Sequence, residues 1–204
     1  SSQDILVPKG HPNFEDPCTI ATGSLRRKAQ WLHRYPNHEV VGLRGNVNTR
    51  LQKLEENLWQ GAIFAKAGLE RIQVLPENYL SLDWMVPAPA QGAMVVVALE
   101  NDPYCKEATG KLNVTNAQIC THIEREFLRV LEGGCTAPIG AIATIIENEI
   151  LFKGVLFSLD GQIKLEVERS IPMDQYDNFG RTCALHLLNS GGKELMAAIK
   201  KEML

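Results

Sequence analysis

The chain has little to suggest a membrane, an export route or a disulfide framework. No apolar run approaches the roughly 18 residues needed to cross a bilayer. The opening residues, SSQDILVPKG, show neither the charged start nor the apolar core of a signal peptide. The expectation is a cytoplasmic protein with no membrane partner. The five cysteines, Cys18, Cys105, Cys120, Cys135 and Cys183, are odd in number and include no CxxC pair, which argues against both disulfides and a zinc knuckle. Cys120 and His122 are wrongly spaced for two ligands on one helix face, so no metal is expected. Aromatic residues are sparse at 6% and the formal net charge is only -3, which disfavours nucleic acid as a partner.

What is present is an ordinary globular composition. A chain of 204 residues with 45% hydrophobic content can bury one large core or two smaller ones. There is no internal repeat and no low-complexity segment. The first 90 residues alternate short apolar runs with helical patterns, the sign of βαβ units around a parallel sheet. Strands are predicted at 19–21, 40–43 and 62–65. Ser24 caps a helix with Leu25, Ala29 and Leu32 inward, Gly45 and Asn46 lead into a helix with Val47, Leu51, Leu54 and Leu58 on one stripe, and Lys66 to Ile72 forms a third. The run MVVVAL at 94–99 reads as a strand buried on both faces.

After a helical linker at 101–112, Thr115 and Gln118 read as a capping box opening a helix to Leu131, which Gly133 and Gly134 stop. Three strands at 141–146, 150–157 and 163–168 form an antiparallel meander, followed by helices at 175–189 and 193–203. The fold class is therefore an α/β domain, mostly parallel in its sheet and of periplasmic-binding-protein type, then a smaller α+β domain.

Charge is concentrated in one place. From Ser24 to Leu54 the chain gathers Arg26, Arg27, Lys28, Arg34, Arg44, Arg50 and Lys53 against Glu39 alone. Ligands of a parallel sheet collect beyond the carboxyl ends of its strands, where loops enter helix starts, and both arginine groups fall there. Cations at helix N-termini work against the macrodipole, so a bound anion is the natural reason for them. Arg34 reads as a dipole partner near a helix end. A second singular motif, LEGGCTAPIG at 131–140, places Cys135 on a short glycine loop where it can be a nucleophile or attachment point, or a small buried hydrophobe.

Four separated motifs, in order, resemble the porphobilinogen deaminase (hydroxymethylbilane synthase) family: ATGSLRR with Ser24, Arg26 and Arg27; LRGNVNTRL with Arg44 and Arg50; AGLERI with Arg71 followed by PAQGA with Gln91; and LEGGC with Cys135. The resemblance implies a transferase of tetrapyrrole biosynthesis. It deaminates four porphobilinogen units and joins them on a dipyrromethane cofactor linked to Cys135 by a thioether. The five arginines, with Ser24 and Gln91, then bind carboxylates of cofactor, substrate and growing chain.

Gly23 stands where the family commonly has Ser, and Thr136 and Ala137 vary the segment after the cysteine. The family's catalytic aspartate lies in a motif of the type HSxKDxP, which does not occur here, and Asp83 precedes a different sequence. The resemblance thus implies a second domain at 4–88, a return segment of a first domain at 89–112 and a third domain at 113–204. A chain lacking the first domain is expected to be inactive, with its 93–100 strand disordered, displaced or paired with another copy of a normally monomeric protein. Two other readings are a periplasmic-type domain binding small anions and an RNA-binding regulator. LEGGC and the absent export signal weigh against the former; the overall charge and the few aromatics near the arginines weigh against the latter.

Overall fold

The computed structural model describes residues 1–131 and 137–203. Its first sheet contains β1 (Asp4–Pro8), β2 (Thr19–Ala21), β3 (Glu39–Val41), β4 (Gly61–Ala65) and β5 (Leu80–Ser81), in the spatial order β3-β2-β4-β1-β5. β2 runs parallel to β3 and to β4, joined through α1 (Leu25–Arg34) and α2 (Val47–Glu56); β4 leads into α3 (Lys66–Arg71). β1 lies antiparallel between β4 and β5, so the sheet is mixed where a mostly parallel one was expected. The two-residue alternation of β1 and β4 divides their side chains between two cores. Ile5, Val7, Ala62 and Phe64 pack with Leu54 of α2 and Leu69 of α3, while Leu6 and Ile63 pack with Trp31 of α1 and Met85.

The predicted helices form, with different buried faces. Ala29 is buried in α1, but Arg26, Arg27, Gln30 and Trp31 share its inner face, and Leu25 and Leu32 are only partly covered. In α2 only Leu54 is fully buried, and Leu58 lies beyond the helix and exposed. The run at 94–99, read from its residues as a buried strand and from the resemblance as disordered, displaced or paired with another copy, forms no strand within this chain. Met94 to Val97 and Leu99 are exposed, without ladder partners among the described residues, and a strand without a neighbour has nothing to satisfy its backbone groups.

Beyond α4 (Pro103–Gly110), α5 (Thr115–Val130) begins the second unit. Its N-cap is Val114 with no side-chain cap; Gln118 instead accepts from the Asn113 side chain, so the capping box is not made. The glycines expected to stop α5 lie outside the described residues. β6 (Ile139–Ile146), β7 (Glu149–Phe157) and β8 (Lys164–Pro172) form the expected antiparallel meander, longer at its last strand than the sequence suggested. α6 (Phe179–Leu187) starts later than predicted and α7 (Lys193–Glu202) follows after a kinked turn. The two helices and α5 cover one face of this sheet around Ile123, Phe127, Phe152 and Leu187. Cys183 belongs to this core, and burial pushes its thiol up to about 11, as for a packed hydrophobe.

The two units touch through α1. Ala29 packs with Val86, Val155 and Phe157, and the ring nitrogen Nδ1 of His33 lies 2.8 Å from the Gly161 carbonyl it donates to. Gly161 has φ +76° and a Cβ there would sit 2.4 Å from the Ala29 carbonyl, so only glycine lets the β7–β8 turn reach the helix. Among the described residues no helix is long and apolar enough to cross a membrane.

Candidate carboxylate-binding site

Two neighbouring parallel strands, β2 and β3, lead into the clustered basic residues beyond their carboxyl ends. Ser24 caps α1 by accepting from the Arg27 backbone N–H at 3.4 Å, which sets Arg26 and Arg27 in its first turn. Asn46 caps α2 by accepting from Thr49 N at 2.9 Å, which leaves Arg44 on the preceding loop and Arg50 one turn in. Arg71 sits at the opposite end of α3, in its last turn, with its side chain exposed.

Arg26 and Arg27 are not solvated; they close on a carboxylate of the chain itself. Asp4, at the start of β1, is fully buried in its side chain. Its Oδ2 accepts from Arg26 Nη1 at 2.6 Å. Its Oδ1 accepts from Arg27 Nε at 2.9 Å, faces Arg27 Nη2 at 2.9 Å, and receives Arg26 Nη2 at 3.3 Å and Gln91 Nε2 at 3.0 Å. Gln91 also accepts from Arg26 Nη2 at 3.0 Å and donates to the Ser2 carbonyl at 2.7 Å. The remaining donors are shared out: Arg26 Nη1 reaches the Val86 carbonyl at 2.9 Å and Arg27 Nη1 the Ile63 carbonyl at 3.3 Å. Arg26 Nε is buried with no hydrogen-bond partner among the described residues.

Two guanidiniums around one carboxylate leave one positive charge uncompensated in a buried setting. Burial pulls Arg27 below its ordinary range, and the like charges of Arg26 and Arg50 add to that pull against the opposing attraction of Asp4. Arg50 is partly buried and its Nε donates to the Gly45 carbonyl at 2.7 Å, which aims it back along the β3–α2 loop. Arg44 is exposed, and among the described residues its side chain makes no ion pair or hydrogen bond.

The structure thus joins Arg26, Arg27 and Gln91 around Asp4, puts Arg50 within electrostatic reach of Arg27, and leaves Arg44 and Arg71 exposed, without an ion pair or side-chain hydrogen bond among the described residues. Cys135 lies outside the described residues. Sequence reasoning missed Asp4, which had only the apolar run after it as a strand signal, and Gln30. The Gln30 side chain donates to Val86 O at 2.9 Å and accepts from Val86 N at 2.8 Å. It also missed Glu124 of α5, buried and accepting from the backbone N–H of Ala90 at 2.6 Å and of Ala143 at 2.8 Å. Burial raises the Glu124 carboxyl above its usual range despite those two bonds.

Two family models match the chain. One described as "Porphobilinogen deaminase, dipyromethane cofactor binding domain" covers residues 1–107, and one described as "Porphobilinogen deaminase, C-terminal domain" covers 118–189. Among curated relatives, the porphobilinogen deaminase of Syntrophotalea carbinolica is 37% identical over 199 residues, covering 96% of this chain and 63% of that protein. That of Campylobacter jejuni (serotype O:2) is 38% identical over 202 residues, covering 96% of this chain and 66% of that protein. That of Rubrobacter xylanophilus is 36% identical over 201 residues, covering 97% and 65% respectively. The chain therefore spans slightly less than two thirds of these relatives' length. With one family model matching more than half of its residues and identities of this size over nearly all of them, the chain belongs to the porphobilinogen deaminase family.

Proposed function

We propose that this chain supplies the carboxylate-binding and cofactor-bearing parts of a transferase that deaminates porphobilinogen and joins four units into hydroxymethylbilane. The observation that carries this is the exposed Arg44 guanidinium with Arg50 close behind it, beside a buried Arg26–Arg27 fork that the chain's own Asp4 already occupies. Such donors fit a group rich in acetate and propionate side chains, and each charge-assisted bond stabilises by about 1.5 to 3 kcal/mol. Arg44, Arg50 and Arg71 would hold the carboxylates of cofactor and substrate. Ser24, Arg26, Arg27 and Gln91 would complete the wall, and Cys135 would be the point of covalent attachment. When bound, the dipyrromethane supplies the pyrrole carbon to which the first substrate unit is joined, the substrate's amino group leaving as ammonia.

The same reading assigns 4–88 and 113–204 to a second and a third domain and 89–112 to a return segment of a first domain. The separate sheets and the exposed stretch after Gln91 support that division. It also assigns the first sheet to the periplasmic-binding-protein type and the protein to the cytoplasm, where the four described cysteines would stay free.

Two measurements test this. Calorimetric titration of the chain with porphobilinogen should give saturable binding that weakens with added salt, and Arg44→Ala should weaken it about tenfold, near the lower end of the energy range for one charge-assisted bond. Absence of binding to the unaltered chain removes the proposal. Intact mass should show a dipyrromethane increment on purified protein that Cys135→Ser abolishes; an increment surviving that change would move the attachment point elsewhere.

A further inference from the structure

The strap from Val86 to Gly92 is fastened on both sides. Towards α1, the Val86 carbonyl accepts from Arg26 Nη1 and Gln30 Nε2, both at 2.9 Å. Towards the second unit, the Pro87 carbonyl accepts from Ala141 N at 2.9 Å and the Ala90 N–H donates to Glu124 at 2.6 Å. Ala90 has φ +60°, a conformation alanine seldom adopts, and it is held at the residue whose N–H Glu124 takes. The turn it makes delivers Gln91 to the fork, where that amide bonds both Asp4 and Arg26.

We propose that Glu124 is a positioning residue for the carboxylate-binding fork: by fixing the Ala90 backbone it holds Gln91 against Asp4 and Arg26, and so ties the geometry of the arginine wall to the second unit. Among the described residues Glu124 makes no hydrogen bond or ion pair to the fork itself. Its influence runs through one backbone turn and one amide side chain. Its other oxygen anchors the same carboxylate to Ala143 of β6, so the strap is referenced to the second sheet as well as to α5. A purely local role, tying α5 to β6, would need the Ala143 bond and not the shorter one to Ala90.

The proposal rests on the reading that the fork binds carboxylates, and its test separates the two. Hydrogen exchange on the full chain needs no ligand. In Glu124→Gln, whose amide cannot accept from both N–H groups, exchange should quicken in 86–93 and at the Arg27 and Lys28 amides, with α7 unchanged. Quickening confined to α5 and β6 overturns the proposal. Should that variant not fold, Gln91→Ala is read the same way: exchange should rise at Arg27 and Lys28 while Ala90 stays protected, and an unchanged α1 start overturns it. With porphobilinogen as the probe, Glu124→Gln and Gln91→Ala should each weaken binding about tenfold, and the double variant no more than either, because both act on one contact. Losses that multiply to about a hundredfold mean independent action and refute the relay. No binding to the unaltered chain defeats the proposed function, and the exchange result then decides the relay alone.

Discussion

Asp4→Ala should cost the fold about 3 to 5 kcal/mol, because it leaves Arg26 and Arg27 buried without their counter-ion. The cost is large for the position of the residue, near one end of a short strand, and it comes from desolvation. Both guanidiniums are at least nine-tenths buried, and Gln91 would lose one of its two acceptors with them. Against a typical total stability of about 5 to 15 kcal/mol, a shift of that size moves the urea midpoint far enough to read directly. Asp4→Asn, which keeps the shape and one acceptor, should fall between. The alanine variant should recover part of its loss in formate, a free carboxylate small enough for the vacated space, whereas the unaltered chain should gain little. An unshifted midpoint for Asp4→Ala would mean that the buried pair carries no stability, and the argument for a shaped fork would go with it.

Phe127→Ala should remove about 3 to 5 kcal/mol from the second unit through the cavity it leaves. Phe127 is fully buried in the last turn of α5, with its ring 5.1 Å from that of Phe152 and edge-on to it. The sequence makes room for it: a Cβ on Gly154 of β7 would lie 2.5 Å from the Phe127 ring. The smaller Gly154→Ala should therefore also destabilise, by forcing the ring off its seat. Loss of near-ultraviolet circular dichroism at lower denaturant would report both. If Phe127→Ala unfolds at the same denaturant concentration as the unaltered chain, α5 does not hold the second sheet in the way described.

What the sequence made legible was local. Ser24 and Asn46 cap the helices they were expected to open, because a cap needs only its own next turn. The meander of β6 to β8 follows from two-residue alternation over strands joined by short turns. The arginine wall was legible as a cluster, and its motifs pointed to the family. What stayed hidden depended on residues far apart in the chain. β1 is antiparallel because its partners lie at 61–65 and 80–81, and nothing in DILVP records them. The burial of Arg26 and Arg27 could not be read without Asp4, since an arginine in a helix is ordinarily exposed. Gln91 was placed by resemblance, and only the geometry assigns it to the closing of an ion pair rather than to open solvent. MVVVAL failed as a strand for the opposite reason: its local preference is strong, and no neighbour among the described residues meets it.

The place of β1 bears on the order in which the first sheet can assemble. Asp4 pairs with Ala65 and Ile5 with Ser81, yet β1 separates β4 from β5 and carries the counter-ion for the arginine helix. During synthesis this strand leaves the ribosome long before either neighbour exists, so an apolar segment with both edges open has to wait. Closing such long loops is entropically costly and slow. The parallel β2–β4 part can form around α1 first, but the two guanidiniums on that helix have no buried carboxylate until β1 docks. Insertion of this one strand is thus the step that both completes the sheet and brings the fork its counter-ion, which makes it the natural point of commitment in folding.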